Sequence, residues 1–85
     1  MATKDFRATV MRALIEEHGR VMVRFRVPEW NPQDQWHVVE PGTPGASLFM
    51  SIALTCLATG LPADVTVEDP AQEFSPLVRL QIVRA

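Results

Sequence analysis

Few residues of this chain are of kinds that do chemistry, and none falls into a catalytic pattern. Cys56 is the only cysteine, and His18 and His37 are the only histidines. A nucleophilic thiol wants an exposed, electropositive setting, often at a helix start. Cys56 stands among Ile52, Ala53 and Leu57 and is expected in the core. No second His or Cys and no paired carboxylate stands at metal-ligand spacing, so no metal and no cofactor is expected. The stretch 41–47, Pro-Gly-Thr-Pro-Gly-Ala-Ser, precedes an expected helix and would suit an anion. It lacks the Gly-Lys-Ser/Thr of a phosphate loop, and Lys4 is the only lysine. The chain therefore reads as non-enzymatic. A ligand pocket between His37 and the 41–47 turn is the one enzymatic alternative.

Residues suited to binding are more numerous. Both tryptophans, Trp30 and Trp36, fall in the segment 29–37 with Pro32. Tryptophan is enriched at contact hot spots, and a proline-containing loop displays one at low entropic cost. Trp30 and Trp36 are both read as partner-contact residues, with capping of the core edge as the alternative for each and the one favoured for Trp36. Between Ala46 and Ala58 no charged residue occurs. A helix apolar nearly all round is buried on most sides, so Phe49 and Met50 are expected in a contact, first of all with a second copy of the chain. Arg20, Arg24, Arg26 and Arg79 supply a different possibility. On one sheet face they could neutralise phosphates.

These residues must be held by a small set of elements. Phe6, Val10, Ala13 and Leu14 fall at helical spacing and predict a helix over 4–18, capped by Thr3 and stopped at Gly19. Val21, Val23, Phe25 and Val27 alternate with polar residues and predict a strand over 20–27. A second strand is expected over 36–40, a second helix from Thr43 or Ser47 to Thr59, and strands over 64–68 and 77–84. The order α-β-β-α-β-β implies an α+β, two-layer sandwich: a four-stranded, mainly antiparallel sheet with both helices on one face. The open face would carry Arg20, Met22, Arg24, Arg26, His37, Thr66, Glu68, Arg79 and Gln81. No aromatic residue stands among those positions, which argues against single-stranded nucleic acid.

Length and composition bound the rest. The chain has 85 residues, enough for one domain spanning 1–85. Apolar residues make up 47% and charged residues 21%, which places it with globular domains rather than disordered chains. No signal peptide is visible and no apolar run is long enough to cross a bilayer, so a cytoplasmic location is expected. Net charge is −2, but the sign is segregated. Residues 1–26 carry a net +3, and residues 27–75 hold seven acidic side chains with no Lys or Arg. Such asymmetry can mark a charged contact face.

One stretch resembles the histidine-containing phosphocarrier protein of sugar transport. Ser47-Leu48-Phe49, the apolar run to Gly60, and Asp64-Val65-Thr66-Val67-Glu68 are similar to its second helix and following strand. The resemblance implies an open-faced sandwich. Asp5 stands where the family has its phosphorylated histidine, with Arg7 two positions on, so phosphocarrier activity does not carry over. The expected function is a non-enzymatic protein-binding or regulatory module, homodimeric and acting on another protein. The alternative is a nucleic-acid-binding domain using the arginine-bearing sheet face.

Overall fold

A computed structural model describes residues 2–84 of the protein. Among the described residues there are five strands and one helix. Strand β1 spans Thr3–Ile15, β2 Val21–Arg26 and β3 Asp34–Val39. Helix α1 spans Ala46–Thr59, followed by β4 Ala63–Glu68 and β5 Leu77–Ile82. All five strands form one antiparallel sheet in the order β3-β2-β1-β4-β5. This overturns the expected four-stranded, two-helix sandwich. The first helix is a strand, and the fold is mostly sheet.

The reason lies inside β1. Its inward side chains are Phe6, Ala8 and Val10, and then Ala13. A four-residue step such as Phe6 to Val10 keeps one face of a helix or of a strand. The three-residue step from Val10 to Ala13 belongs to a helix unless a bulge intervenes. It does: the register shifts between Val10 and Arg12, where Val10 faces Phe25 and Arg12 faces Arg24. One extra residue turns a period of two into a spacing of three and imitates a helix. Gly19 is positive in φ, as expected, but it serves a β1–β2 turn in which its N–H donates to the Glu16 carbonyl at 2.8 Å.

β1 is long because it serves two partners. Residues 9–15 pair with β2, and residues 3–8 pair with β4. The sheet curls about this strand until its far edges meet. The segment before β5 lies against β3: the Phe74 N–H donates to the Trp36 carbonyl at 2.7 Å, and Val38 and Pro76 form a parallel bridge. The curled sheet encloses Val21, Val23, Phe25, Val39, Val65, Val67 and Leu80, all buried.

Helix α1 closes one side of this core through Ala53 and Cys56, both buried and three positions apart. Cys56 is thus in the core, and burial pushes its thiol pKa up, away from nucleophilic chemistry. The helix starts after Gly45 in the left-handed conformation, not at Thr43 or Ser47, and ends at Gly60, whose N–H donates to the Cys56 carbonyl. No helix is long and apolar enough to cross a membrane.

Candidate functional site

Pairing register decides which side chains share a surface. On β3, Gln35, His37 and Val39 lie opposite Phe25, Val23 and Val21, so they face the core. The intervening Trp36 and Val38 face outward. The expected arrangement had these two sets exchanged. Slipping a strand by one residue moves every side chain to the other face. His37 is fully buried, packed near Phe6 and Phe25, both with ring centroids 5.8 Å away. Its Nδ1–H donates to the Ser75 carbonyl at 3.0 Å, which leaves Nε2 an acceptor that no protein donor reaches. Burial holds its pKa below the ordinary value, with the Ser75 bond and Glu73 opposing. A residue sealed in this way is not accessible to a substrate.

The exchange brings Trp36 onto the arginine-bearing face. Arg12, Arg24 and Trp36 are direct cross-strand partners on β1, β2 and β3 and form one row. The Arg24 guanidinium carbon lies 5.8 Å from the Trp36 ring centroid, a cation–π geometry. The adjoining row is Thr9, Arg26 and Asp34. Asp34 accepts from Arg26 Nε at 2.7 Å and from Arg24 Nε at 3.2 Å. Arg26 is the main cause of an Asp34 pKa below the usual carboxylate range. One carboxylate thus serves two guanidinium groups, and Arg12 makes no ion pair among the described residues. Arg12 opposes Arg24 directly, although like charges at paired positions are unfavourable. The third row, Leu14, Met22 and Val38, is apolar.

The loop before β5 borders this surface. Ser75 organises it: its hydroxyl donates to the Pro70 carbonyl at 2.7 Å, and its own carbonyl accepts from His37 and from the Val38 N–H. Glu73 Oε1 accepts from the Trp36 N–H at 3.1 Å. Between these anchors stands Phe74, with a φ of 67° and a side chain 52% exposed. A left-handed phenylalanine is strained, and such strain gathers at functional sites. Here it holds an aromatic ring out in solvent beside the β3 backbone.

The other expected site residues are dispersed. Arg20 sits at the β1–β2 turn, bound to Glu16 at 2.7 Å, with Glu40 at 4.0 Å. Arg79 is on β5, three strands from β2, on a half of the face where Arg7 pairs with Asp64 at 2.9 Å. The four arginines therefore do not converge, and only Arg24 and Arg26 stand together. Trp30 packs at the end of the core with its ring centroid 4.7 Å from that of Phe6. Phe49 and Met50 are half-buried against the core. The more exposed apolar side chains of the helix are Leu48 at 65% and Leu54 at 52%.

Two residues, one on the Trp36 surface and one at its β3 edge, carried little signal in the sequence. Arg12 was concealed by the apparent helix. Phe74 carried a faint signal as the one large apolar residue of an otherwise polar loop. Among the described residues, no group of three or more His, Cys, Asp or Glu side chains could hold a metal ion. No family model matches this chain, and no curated protein matches it significantly.

Proposed function

We propose that the protein binds single-stranded nucleic acid on the outer face of β1, β2 and β3. The observation that carries this reading is the row Arg12–Arg24–Trp36, a cation–cation–aromatic line across three adjacent strands. Single strands are held by aromatic rings on which bases stack and by cations along the backbone. Trp36 and Phe74 supply the rings. Arg12, Arg24 and Arg26, less the charge of Asp34, supply a local excess of positive charge. A phosphate between Arg12 and Arg24 would relieve the repulsion the empty face carries.

The architecture adds support by analogy. A five-stranded, partly open antiparallel barrel resembles the OB-fold, whose β2–β3 face and β1–β2 and β4–β5 loops bind oligonucleotides. The Arg–Trp row and the Phe74 loop occupy the corresponding positions. A likeness of fold alone does not assign function, and the reading stands on the row of side chains. Few phosphate contacts are available, so affinity should be modest and sensitive to salt.

The test is a titration of a fluorescently labelled single-stranded oligonucleotide, followed by anisotropy at low salt. Saturable binding that weakens with salt and with Trp36→Ala is the expected result. No binding at low salt would remove the proposal and leave a protein partner for this face.

A further inference from the structure

The opposite side of the molecule has a different character. Helix α1 carries no acidic or basic residue along its 14 positions. Between α1 and β5 runs a largely apolar groove of about 220 Å³, lined by Leu48, Phe49, Ile52, Val78 and Leu80, with Arg79 as its one charged residue. Leu48 is 65% and Val78 45% exposed. Exposed apolar side chains gathered around one groove mark a contact surface.

Next to the groove lies an open sheet edge. The edge at β3 is closed by residues 74–76. β5 pairs only with β4, and no further described segment bonds to the backbone of residues 78–82. Open edges are normally guarded by lysine, proline or inward charge. Beyond Pro76 and the register shift beside Val67, the stretch 79–82 is regular and carries a single charge, Arg79.

We propose that two copies of this chain pair β5 to β5, antiparallel, with the two grooves beside the seam covered by the partner. An antiparallel edge joined to its own copy satisfies two-fold symmetry, because the same patch then meets itself. Charge selects the register. With the axis at Leu80, Leu80 faces its own copy and Arg79 faces Gln81, so no like charges are opposed. With the axis at Arg79, two guanidinium groups would meet, which is unfavourable. The single charge beside the groove is Arg79, and the Leu80 register sets it against the partner's neutral Gln81 while the uncharged faces of the two α1 helices and two matching rows of free main-chain groups meet. Residues 78–82 lie beyond the 74–76 segment that bonds to β3, so the seam uses none of the backbone groups of the Trp36 row.

Light scattering over a concentration series tests the proposal. The wild type should approach twice the monomer mass as concentration rises. Val78→Lys and Leu48→Glu should each return it to monomer mass with an unchanged circular dichroism spectrum. As a check that does not need those variants to fold, Arg79→Cys and Gln81→Cys chains are mixed under mild oxidation. A covalent dimer should form in the mixture and far less in either chain alone. Three results would overturn the proposal: a wild type that stays monomeric throughout, a folded Val78→Lys variant that still dimerises, or a mixture that cross-links no better than its components.

Discussion

The two sides of this barrel solve the problem of a small sheet in opposite ways. The outer face of β1–β3 is wet and charged, yet it holds Trp36 among arginines and sets Arg12 against Arg24. The α1–β5 side has one charge at its margin and leaves leucines in solvent. The first surface retains unfavourable electrostatics and the second retains unfavourable hydration. Each cost is relieved by a different class of partner, a polyanion in one case and an apolar copy in the other. The contrast teaches that the chain's mild acidity says little about either surface. Four of the ten acidic side chains are held in local ion pairs, among them Asp34 with Arg24 and Arg26 and Asp64 with Arg7.

The largest expected effect removes both surfaces together. Phe25 is 1% exposed and faces Val10 across the β1–β2 pairing. Phe25→Ala should cost about 3–5 kcal/mol, a large part of the stability of so small a domain. Urea unfolding would measure it; a loss under about 1 kcal/mol would mean that the core is not centred there.

A smaller effect separates the two sides. Trp36→Ala should weaken oligonucleotide binding by about 1–3 kcal/mol, roughly 5- to 150-fold, while the solution mass is unchanged. Leu48→Glu should do the reverse. If either variant moved both readouts in a folded protein, the two surfaces would not be independent. Arg12→Ala sharpens the first surface further. Losing one phosphate contact should reduce the slope of log affinity against log salt by roughly 0.7. An unchanged slope would place Arg12 outside the contact.

The smallest effect concerns neither surface but the residue between them. His37 is held neutral by burial, with a folded pKa below the ordinary value. The unfolded chain then binds more protons than the folded one once pH drops below about 6.5. Stability should be fully present above that pH and decline below it, by at most about 1.4 kcal/mol per pH unit from this group. Thermal melts of wild type and His37→Phe between neutral and mildly acidic pH would isolate the contribution. A wild-type curve flat across that range would contradict the burial argument.

Much of this was legible in the sequence, and the failures have identifiable causes. β2 alternates cleanly from Val21 to Val27 and was read almost to the residue. The helix from the 41–47 turn to Gly60 was legible from its apolar run and glycine stop. β1 was not, because the bulge beside Met11 turns alternation into helical spacing. β3 was found, but its orientation was reversed. His37, Val38 and Val39 are all buried, although Val38 faces opposite to the other two, and the 74–76 segment bonds to the β3 edge there. A strand covered on both sides loses the alternation that would fix its parity. That single ambiguity kept Trp36 off the arginine face and made nucleic acid look unlike a ligand.

The central claim is that Trp36 and its arginine neighbours form the binding surface. The most direct test uses Trp30→Phe, which leaves Trp36 as the only tryptophan. Its fluorescence is followed as an unlabelled single-stranded oligonucleotide is added at low salt. Stacking of a base on Trp36 predicts saturable quenching that reverses as salt is raised. Emission unchanged by oligonucleotide, in a variant that remains folded, would contradict the account.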